Sequence, residues 1–248
     1  MEWKIAIPSY KRAVALREKT LKTLKSYGVS PTRIFIFVAS DEEALDYKRE
    51  NPDYRIVVGV IGLPQQRNFI IDYFDLGENI VSIDDDIEGI YQLISKKEQT
   101  MERHPNICEL FDDMFNKLRE KQLQLCGIYP CRNAFFMYDK ITTDLKFCIG
   151  CLCLFINDKL FLSEKVIQKD DYERTLISYN KYSGVLRYNN ICVKTKFYST
   201  GGAGNGLERN MTNENDTTML YSMYPTQLKM WRRKNGTAEL KFVKRIQK

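Results

Sequence analysis

Three consecutive carboxylates, Asp84-Asp85-Asp86, follow directly on the apolar run Asn79-Ile-Val-Ser-Ile83. At that spacing they repel one another, and a divalent cation is the simplest compensation. Alternation in an extended chain is expected to aim Asp84 and Asp86 to one side, where they share a hard metal, and Asp85 to the other. A solvated acidic turn with capping duty would use the same residue types, but the position at a strand end, not inside a loop, favours the metal. A second acidic cluster, Lys169-Asp170-Asp171-Tyr172-Glu173, opens a helical stretch. Carboxylates are preferred there as caps, and a single well-placed one is also enough to take a proton from an acceptor hydroxyl.

Two further segments are natural partners of the acidic triplet. Pro8-Ser9-Tyr10-Lys11-Arg12 and Gly62-Leu-Pro-Gln-Gln66-Arg67-Asn68 each place polar and cationic groups beside a helix start, where free backbone N–H groups favour a phosphate. Arg67 and Asn68 would equally suit exposed positions in a first turn. Gly201-Gly-Ala-Gly-Asn-Gly206 reads as a flexible loop, either a lid over a phosphate-bearing substrate or a plain connection. It lacks the strand, helix and downstream acid of a dinucleotide fingerprint. His104 is the only histidine, so Ser-His-Asp, Cys-His and His-rich zinc catalysis lose their usual base. Beside Pro105 at a helix start, it reads as a surface residue.

The elements that must hold these residues alternate. Trp3–Ile7 is apolar and β-prone. A helix follows with Val14, Leu16, Leu21 and Leu24 on one face and Gly28 closing it. Arg33–Val38 reads as a strand buried on both faces, Asp41–Glu50 as a short charged helix, Tyr54–Val60 as a third strand, Pro64–Phe74 as a helix and Asn79–Ile83 as a fourth strand. Such alternation makes an open, mainly parallel sheet covered by helices, which binds ligands beyond the carboxyl ends of its strands. Pro8–Arg12 and Asp84–Asp86 both fall at such ends.

Farther on, His104–Leu123 is the clearest helix, with Ile107, Leu110, Phe111, Met114, Phe115 and Leu118 in one stripe. Leu125–Tyr129, Ala134–Tyr138 and Lys146–Ile156 read as strands, about Asp170 to Tyr182 as a helix, and Val185–Tyr198 as a hairpin turning at Asn189-Asn190. The chain is read as one domain, residues 1–207, with a polar loop and basic extension over 208–248.

Composition agrees with a single globular enzyme-sized unit. Of 248 residues 44% are hydrophobic, with only 13 Gly and 7 Pro, so disorder and collagen-like repetition are excluded. The longest apolar run, Phe147–Ile156, is half of the roughly 20 residues a membrane helix needs. Seven cysteines in a chain whose first residues are short and charged read as reduced thiols of an intracellular, cytoplasmic protein. Cys148, Cys151 and Cys153 lie in the apolar run and read as buried thiols in preference to zinc ligands. The net charge of +6 is unevenly divided. Residues 1–33 carry eight Lys or Arg against Glu2 and Glu18, residues 229–248 carry eight against Glu239, and the middle has 22 basic and 29 acidic residues.

Ile5-Ala-Ile-Pro-Ser-Tyr-Lys-Arg12, Gly62-Leu-Pro-Gln-Gln-Arg-Asn68, Asp84-Asp85-Asp86 and Asp170-Asp171 together resemble the GT-A glycosyltransferases. Within them the chain looks most like the TET/JBP-associated glycosyltransferases of phages and their eukaryotic relatives, on Lys169–Glu173, Arg187-Tyr-Asn-Asn190 and Lys194-Thr-Lys196 leading into Gly201-Gly202. The likeness spans about residues 3–207. It implies a Rossmann-like fold with a nucleotide-sugar-binding half (1–100) and an acceptor-binding half (101–207). It also implies a nucleotide-sugar donor, a UDP-sugar, and a Mn²⁺ or Mg²⁺ ion. Carried over by position, Pro8, Ser9, Tyr10, Lys11 and Arg12 would hold base and ribose, with Gly62, Gln66, Arg67 and Asn68 near ribose and diphosphate. Asp84 and Asp86 would hold metal and donor, with Asp85 beside them. Asp171 would be the base, with Asp170 and Glu173 as neighbours. Many GT-A enzymes add a late histidine to the metal, and none follows His104 here, so oxygen ligands or water must complete the shell.

For the phage subfamily the implied acceptor is a hydroxymethylated pyrimidine of duplex DNA. A glycan, protein or lipid acceptor is the runner-up, followed by nucleotidyl transfer and by a non-catalytic DNA-binding module. The basic C-terminal end, Trp231, Arg232, Arg233 and Lys234 with Lys244 and Arg245, suits a grip on a phosphate backbone, and it would equally serve as a solubilising terminus.

Overall fold

Strand β1 (Lys4–Pro8) lies between β2 (Ile34–Val38) and β4 (Asn79–Ile83), parallel to both, and β3 (Arg55–Val58) extends the sheet from β2. The structure, a computed structural model, describes residues 1–195 and 206–243. Beyond β4 the sheet continues through β9 (Leu152–Ile156), β7 (Leu125–Ile128), β10 (Leu186–Tyr188) and β8 (Ile141–Thr142), giving the order β3-β2-β1-β4-β9-β7-β10-β8. Strand β9 is antiparallel to both β4 and β7, and β7 is parallel to β10, so β1 to β4, β7 and β10 all end at one edge.

The two-faced burial expected of the apolar runs is seen residue by residue. Ile34, Ile36 and Val38 enter one core with Ile5 and Ile7, while Phe35 and Phe37 enter the opposite one with Ala6. Full burial of each large side chain contributes roughly 1.5–3 kcal/mol. The first core is roofed by α1 (Ala13–Leu16) and α2 (Lys22–Ser26), joined by a π-helical turn at Arg17–Leu21, and by α5 (Ile107–Glu120). The second is roofed by α4 (Leu63–Tyr73), through Ile70 and Ile71, and by Phe74 just past its end. Helix α3 (Asp41–Glu50) starts on the Ser40 side chain, which accepts from Glu43 N. Helix α5 starts on Asn106, whose Oδ1 accepts from Cys108 N and Glu109 N.

Several sequence expectations are corrected. Val14 is 50% exposed and takes no part in the buried face of Leu16, Leu21 and Leu24. Val185–Tyr198 is not a hairpin: β10 belongs to the large sheet, and β11 (Ile191–Lys194) to a second one with β5 (Gly89–Ser95) and β6 (Thr100–Arg103). Asn189-Asn190 is the crossing point, because the buried Asn189 amide donates to Lys140 O and Thr142 Oγ1 and holds the chain inside. Ala134–Tyr138 is a set of turns, and only Leu152–Ile156 of the apolar run is strand. His104 is half-buried, its Nδ1 accepting from Asn106 N.

The stretch read as polar loop is helix α7 (Gly206–Met223), followed by a hairpin of β12 (Leu228–Arg232) and β13 (Ala238–Phe242). Leu220, Leu228 and Leu240 of this unit pack with Leu145, Val166 and Leu176. All seven cysteines carry free thiols, of which Cys131 is exposed. No helix among the described residues is long and apolar enough to cross a membrane. Lys196, Tyr198, the loop up to Asn205, Lys244 and Arg245 lie outside the described residues.

Candidate active site

The end of β4 and the start of α6 (Asp170–Tyr182) meet at Gly150, just before β9. Asp84 N donates to Cys151 O (3.0 Å), and Gly150 N donates to Asp171 Oδ2 (3.2 Å). Arg67, 4% exposed on α4, joins the two sides. Its Nη2 lies 3.6 Å from Asp84 Oδ1, and its Nε lies 2.5 Å from Asp170 Oδ2. That second contact is a side-on charge pairing, since neither atom completes a hydrogen bond of good angle. Arg67 Nη1 also donates to Ser82 Oγ (3.3 Å) and Nη2 to Gly150 O (3.5 Å). Burial alone would lower the pKa of Arg67, but the carboxylates of Asp170 and Asp84 outweigh it and hold it above its ordinary value.

Asp84 and Asp171 thus stand on either side of Gly150 and Arg67. Asp84 keeps 36% of its side chain accessible, whereas Arg67 beside it keeps 4%. Burial pushes the Asp84 pKa up to about 7, with repulsion from Asp85, Asp86 and Asp170 adding to it and Arg67 opposing. Burial and then the neighbouring Asp170 push Asp171 up to about 7 as well, against the Gly150 and Tyr172 amides and Arg67. Raised carboxyls beside a buried guanidinium concentrate at functional sites and also occur in buried ion-pair networks. Gly150 is required here: a Cβ would stand 2.9 Å from Arg67 Nη2 and 3.3 Å from the Asp171 Cβ.

The expected sidedness of the acidic triplet is corrected. The chain leaves the extended conformation after Ile83 and turns at Asp85-Asp86, so the two-residue period no longer applies. Asp84 turns to Arg67, while Arg12 reaches both Asp85 (2.8 Å) and Asp86 (3.7 Å). Ser9 Oγ donates to Asp85 (2.6 Å) and shares a hydrogen bond with the Tyr47 hydroxyl (2.7 Å). That hydroxyl also accepts from Arg12 N. Burial pushes Tyr47 up to about 12. Asp85 thus ties the Pro8–Arg12 loop to the end of β4. Asp86 accepts from Thr195 Oγ1 (2.6 Å). Among the described residues no group of three or more His, Cys, Asp or Glu stands ready to hold a metal. Asp84 and Asp86 face different partners, Arg67 for the one and Arg12 with Thr195 for the other, so each offers a carboxylate oxygen of the kind a hard cation takes, with phosphate oxygens and water as its further ligands.

The remaining candidates divide by exposure. Pro8 and Ser9 are buried, and Tyr10 and Lys11 are the exposed members of their loop, with the Lys11 ammonium 5.1 Å from the Tyr10 ring. Lys11 has φ +53° and donates its amide to Glu43 Oε1. Gly62, φ +98°, starts α4 in a conformation that favours glycine. Gln66 is committed inside the fold, accepting from Val60 N and donating to Val38 O. Asn68 is likewise committed to Leu162 and Glu164. Glu173 is 1% exposed and accepts from Ser163 N, and burial raises its pKa.

Residues with no sequence signal support α6. Asp216 Oδ2 of α7 accepts from the amides of Ile167, Gln168 and Lys169 (3.0, 2.5 and 3.3 Å). Lys169 lies 3.7 Å from Glu239, and Tyr172 donates to Leu240 O. Asp216→Ala strands these amides, so a loss of about 1–3 kcal/mol is expected, readable as a lower Tm. Loosened support for Asp170 and Asp171 would lower turnover with it.

The proposed basic grip is partly self-neutralised. Arg232 pairs with Glu214 (2.5 and 3.1 Å) and Arg233 with Glu239 (2.9 Å), leaving Trp231, 48% exposed, and Lys234 outward.

No family model and no curated protein matches this chain. Solved structures do. Glucosyl-3-phosphoglycerate synthase from Mycobacterium tuberculosis, in complex with Mn²⁺, UDP and glucosyl-3-phosphoglycerate, is similar at TM-score 0.52 and 10% identity over 97% of this chain and 86% of that one. The same enzyme with phosphoglyceric acid gives 0.53 and 11% over 97% and 86%. A mycobacterial protein gives 0.51 and 7% over 97% and 83%. At such identities the likeness is one of fold alone: a mixed α/β chain with a large, mainly parallel sheet flanked by helices.

Proposed function

We propose that the protein is a metal-dependent glycosyltransferase. It takes a sugar from a UDP-sugar, with Mn²⁺ or Mg²⁺, and passes it to the hydroxyl of a 5-hydroxymethyl-type pyrimidine in viral or phage DNA. The observation that carries this reading is the meeting of Asp84 and Asp171 at Gly150, bridged by Arg67. One carboxylate suits a cation and the other suits a base, and the two flank one glycine. The fold shared with an enzyme crystallised with Mn²⁺ and UDP supports the donor class.

Asp84 and Asp86 would hold the metal, whose chemistry is to neutralise charge on the departing nucleoside diphosphate. Tyr10 and Lys11 are the exposed groups of the β1 loop available to the nucleotide. Arg67 orients Asp84 and Asp170. Asp171, held by the Gly150 amide, takes the proton from the acceptor hydroxyl as that oxygen attacks the anomeric carbon. The DNA acceptor rests on the excess of Lys and Arg at the two ends of the sequence, of which Lys234 stays outward while Arg232 and Arg233 are paired within the fold.

The test is label transfer from a panel of UDP-sugars, with Mn²⁺, to duplex DNA with and without hydroxymethylated pyrimidines. Transfer confined to the modified duplex is expected, and Asp86→Ala should lower it at least about 100-fold while Asp72→Ala leaves it unchanged. Full activity of Asp86→Ala would refute the metal assignment. Transfer to a glycan, with no label on any DNA, would replace the acceptor.

A further inference from the structure

A base stacked in a duplex cannot bring its substituent to a carboxylate half-buried among its neighbours, as Asp171 is; it must leave the stack first. Resting on the reading of the acceptor as duplex DNA, we propose that Phe135-Phe136 is an apolar wedge that enters the duplex and holds open the gap left by the target base. The pair lies in the loop that follows β7, and β7 ends at the same edge as β4. One strand separates the two, so the loop begins about 10 Å along that edge from Asp84, and the pair itself lies farther out, where Lys96 just beyond β5 holds the Phe135 carbonyl.

The two side chains are displayed at a cost the fold does nothing to avoid. Phe135 is 58% and Phe136 54% exposed, with ring centroids 4.9 Å apart and planes at 87°. Their neighbours Ala134 and Met137 are 4% and 0% exposed, packed with Leu93 and Cys192 of the second sheet. The backbone between these anchors is held as well. Phe136 N and Met137 N donate to Asn133 O, Phe135 N donates to Asn133 Oδ1, and Tyr138 N donates to Asn189 O. Two adjacent phenylalanines facing water on a tightly anchored turn are a prepared contact surface, and inserted Phe side chains are a known means of unstacking a base step.

Cations supply the complementary charge. Lys96 donates to the carbonyl oxygens of Ala134 and Phe135, with its ammonium 5.6 Å from the Phe135 ring. Exposed Arg132 covers the Tyr91 ring at 4.1 Å. A wedge bordered by Lys and Arg suits a duplex, whose phosphates flank every base step. An uncharged lipid tail would not use them.

The variant is Phe135→Ala/Phe136→Ala, which removes exposed surface and leaves Ala134, Met137 and the catalytic residues in place. The wild-type and variant proteins are compared on hydroxymethylated duplex DNA, on the same sequence as a single strand, and by fluorescence of 2-aminopurine placed beside the target base. The expected result is a fall in kcat/KM of about tenfold or more on the duplex, with the single strand unchanged. Fluorescence should rise when the wild-type protein binds the duplex and not when the variant does. Equal activity of the two proteins on duplex DNA, or an equal loss on duplex and single strand, would overturn the wedge while leaving the acceptor reading intact. Self-association of the wild-type protein that the variant abolishes, without any change on the duplex, would assign the pair to a second copy instead. A wild-type protein that labels no DNA would overturn the acceptor reading itself, and the wedge with it.

Discussion

Asp171→Asn should abolish sugar transfer while leaving the folded protein intact. Loss of a general base costs about 10²- to 10⁴-fold, and donor binding at Asp84 and Asp86 should survive it. In the wild-type protein the rate should rise with pH through about 7, the range to which burial and Asp170 push the Asp171 carboxyl. Asp170→Asn removes the like charge 1 residue away and frees Arg67 to turn toward Asp171, so it should move that rising limb to lower pH. Stability should run the other way. A carboxyl whose folded pKa is raised stabilises the fold fully only below its unfolded value, and the contribution is lost as pH rises through about 7. The Tm of Asp171→Asn relative to the wild type should therefore rise from pH 4 to pH 8, against a constant loss from the one amide, of Gly150 or Tyr172, that the Asn NH2 cannot accept from. A relative Tm that does not rise over that range, with an unchanged pH–rate profile, would remove Asp171 from the proton path.

Arg67→Met should have the largest effect on stability. The side chain is 4% exposed and stands between Asp170 (2.5 Å) and Asp84 (3.6 Å), with the Asp170 side chain itself 6% exposed. Removing one partner of a buried pair leaves an uncompensated charge and costs about 3–5 kcal/mol. For a chain of this size that is a fall in Tm of roughly 6–20 °C. The double variant Arg67→Met/Asp170→Asn should recover part of the loss, because no buried charge is then stranded at that position. A double variant as unstable as the sum of the two singles would show that the pair is not coupled. Transfer should fail in both variants, since Arg67 also fixes Asp84 and the Gly150 carbonyl.

The first 86 residues were legible because their signals are local. Runs such as Ile34–Val38 and Asn79–Ile83 are apolar at every position, which suits only strands covered on both faces, and Gly28 and Gly62 mark helix ends by backbone conformation. Helix α5 was legible from its stripe and α6 from its acidic first turn. Asn189-Asn190 was misread because the same dipeptide that suits a hairpin also suits a crossing strand whose amide finds distant partners. Ala134–Tyr138 is an apolar, aromatic-rich run like a strand, yet its buried positions Ala134 and Met137 face a second sheet whose existence depends on β5 meeting β11.

The sequence by itself determined the strand–helix alternation, the carboxylates at the end of β4 and the acidic start of α6, because propensity, burial pattern and capping act over a few residues. Only the tertiary structure decided which of these carboxylates meet. Gly150 lies 21 residues from Asp171, Thr195 109 from Asp86, and Asp216 47 from the Lys169 amide it accepts from. Those pairs are set by sheet order and by where α7 docks. The same holds for charge: the basic C-terminal end was visible in composition, but the folding of β12 and β13 brought Arg232 to Glu214 and Arg233 to Glu239. Electrostatic neutralisation depends on distance through space, and the chain alone does not state it.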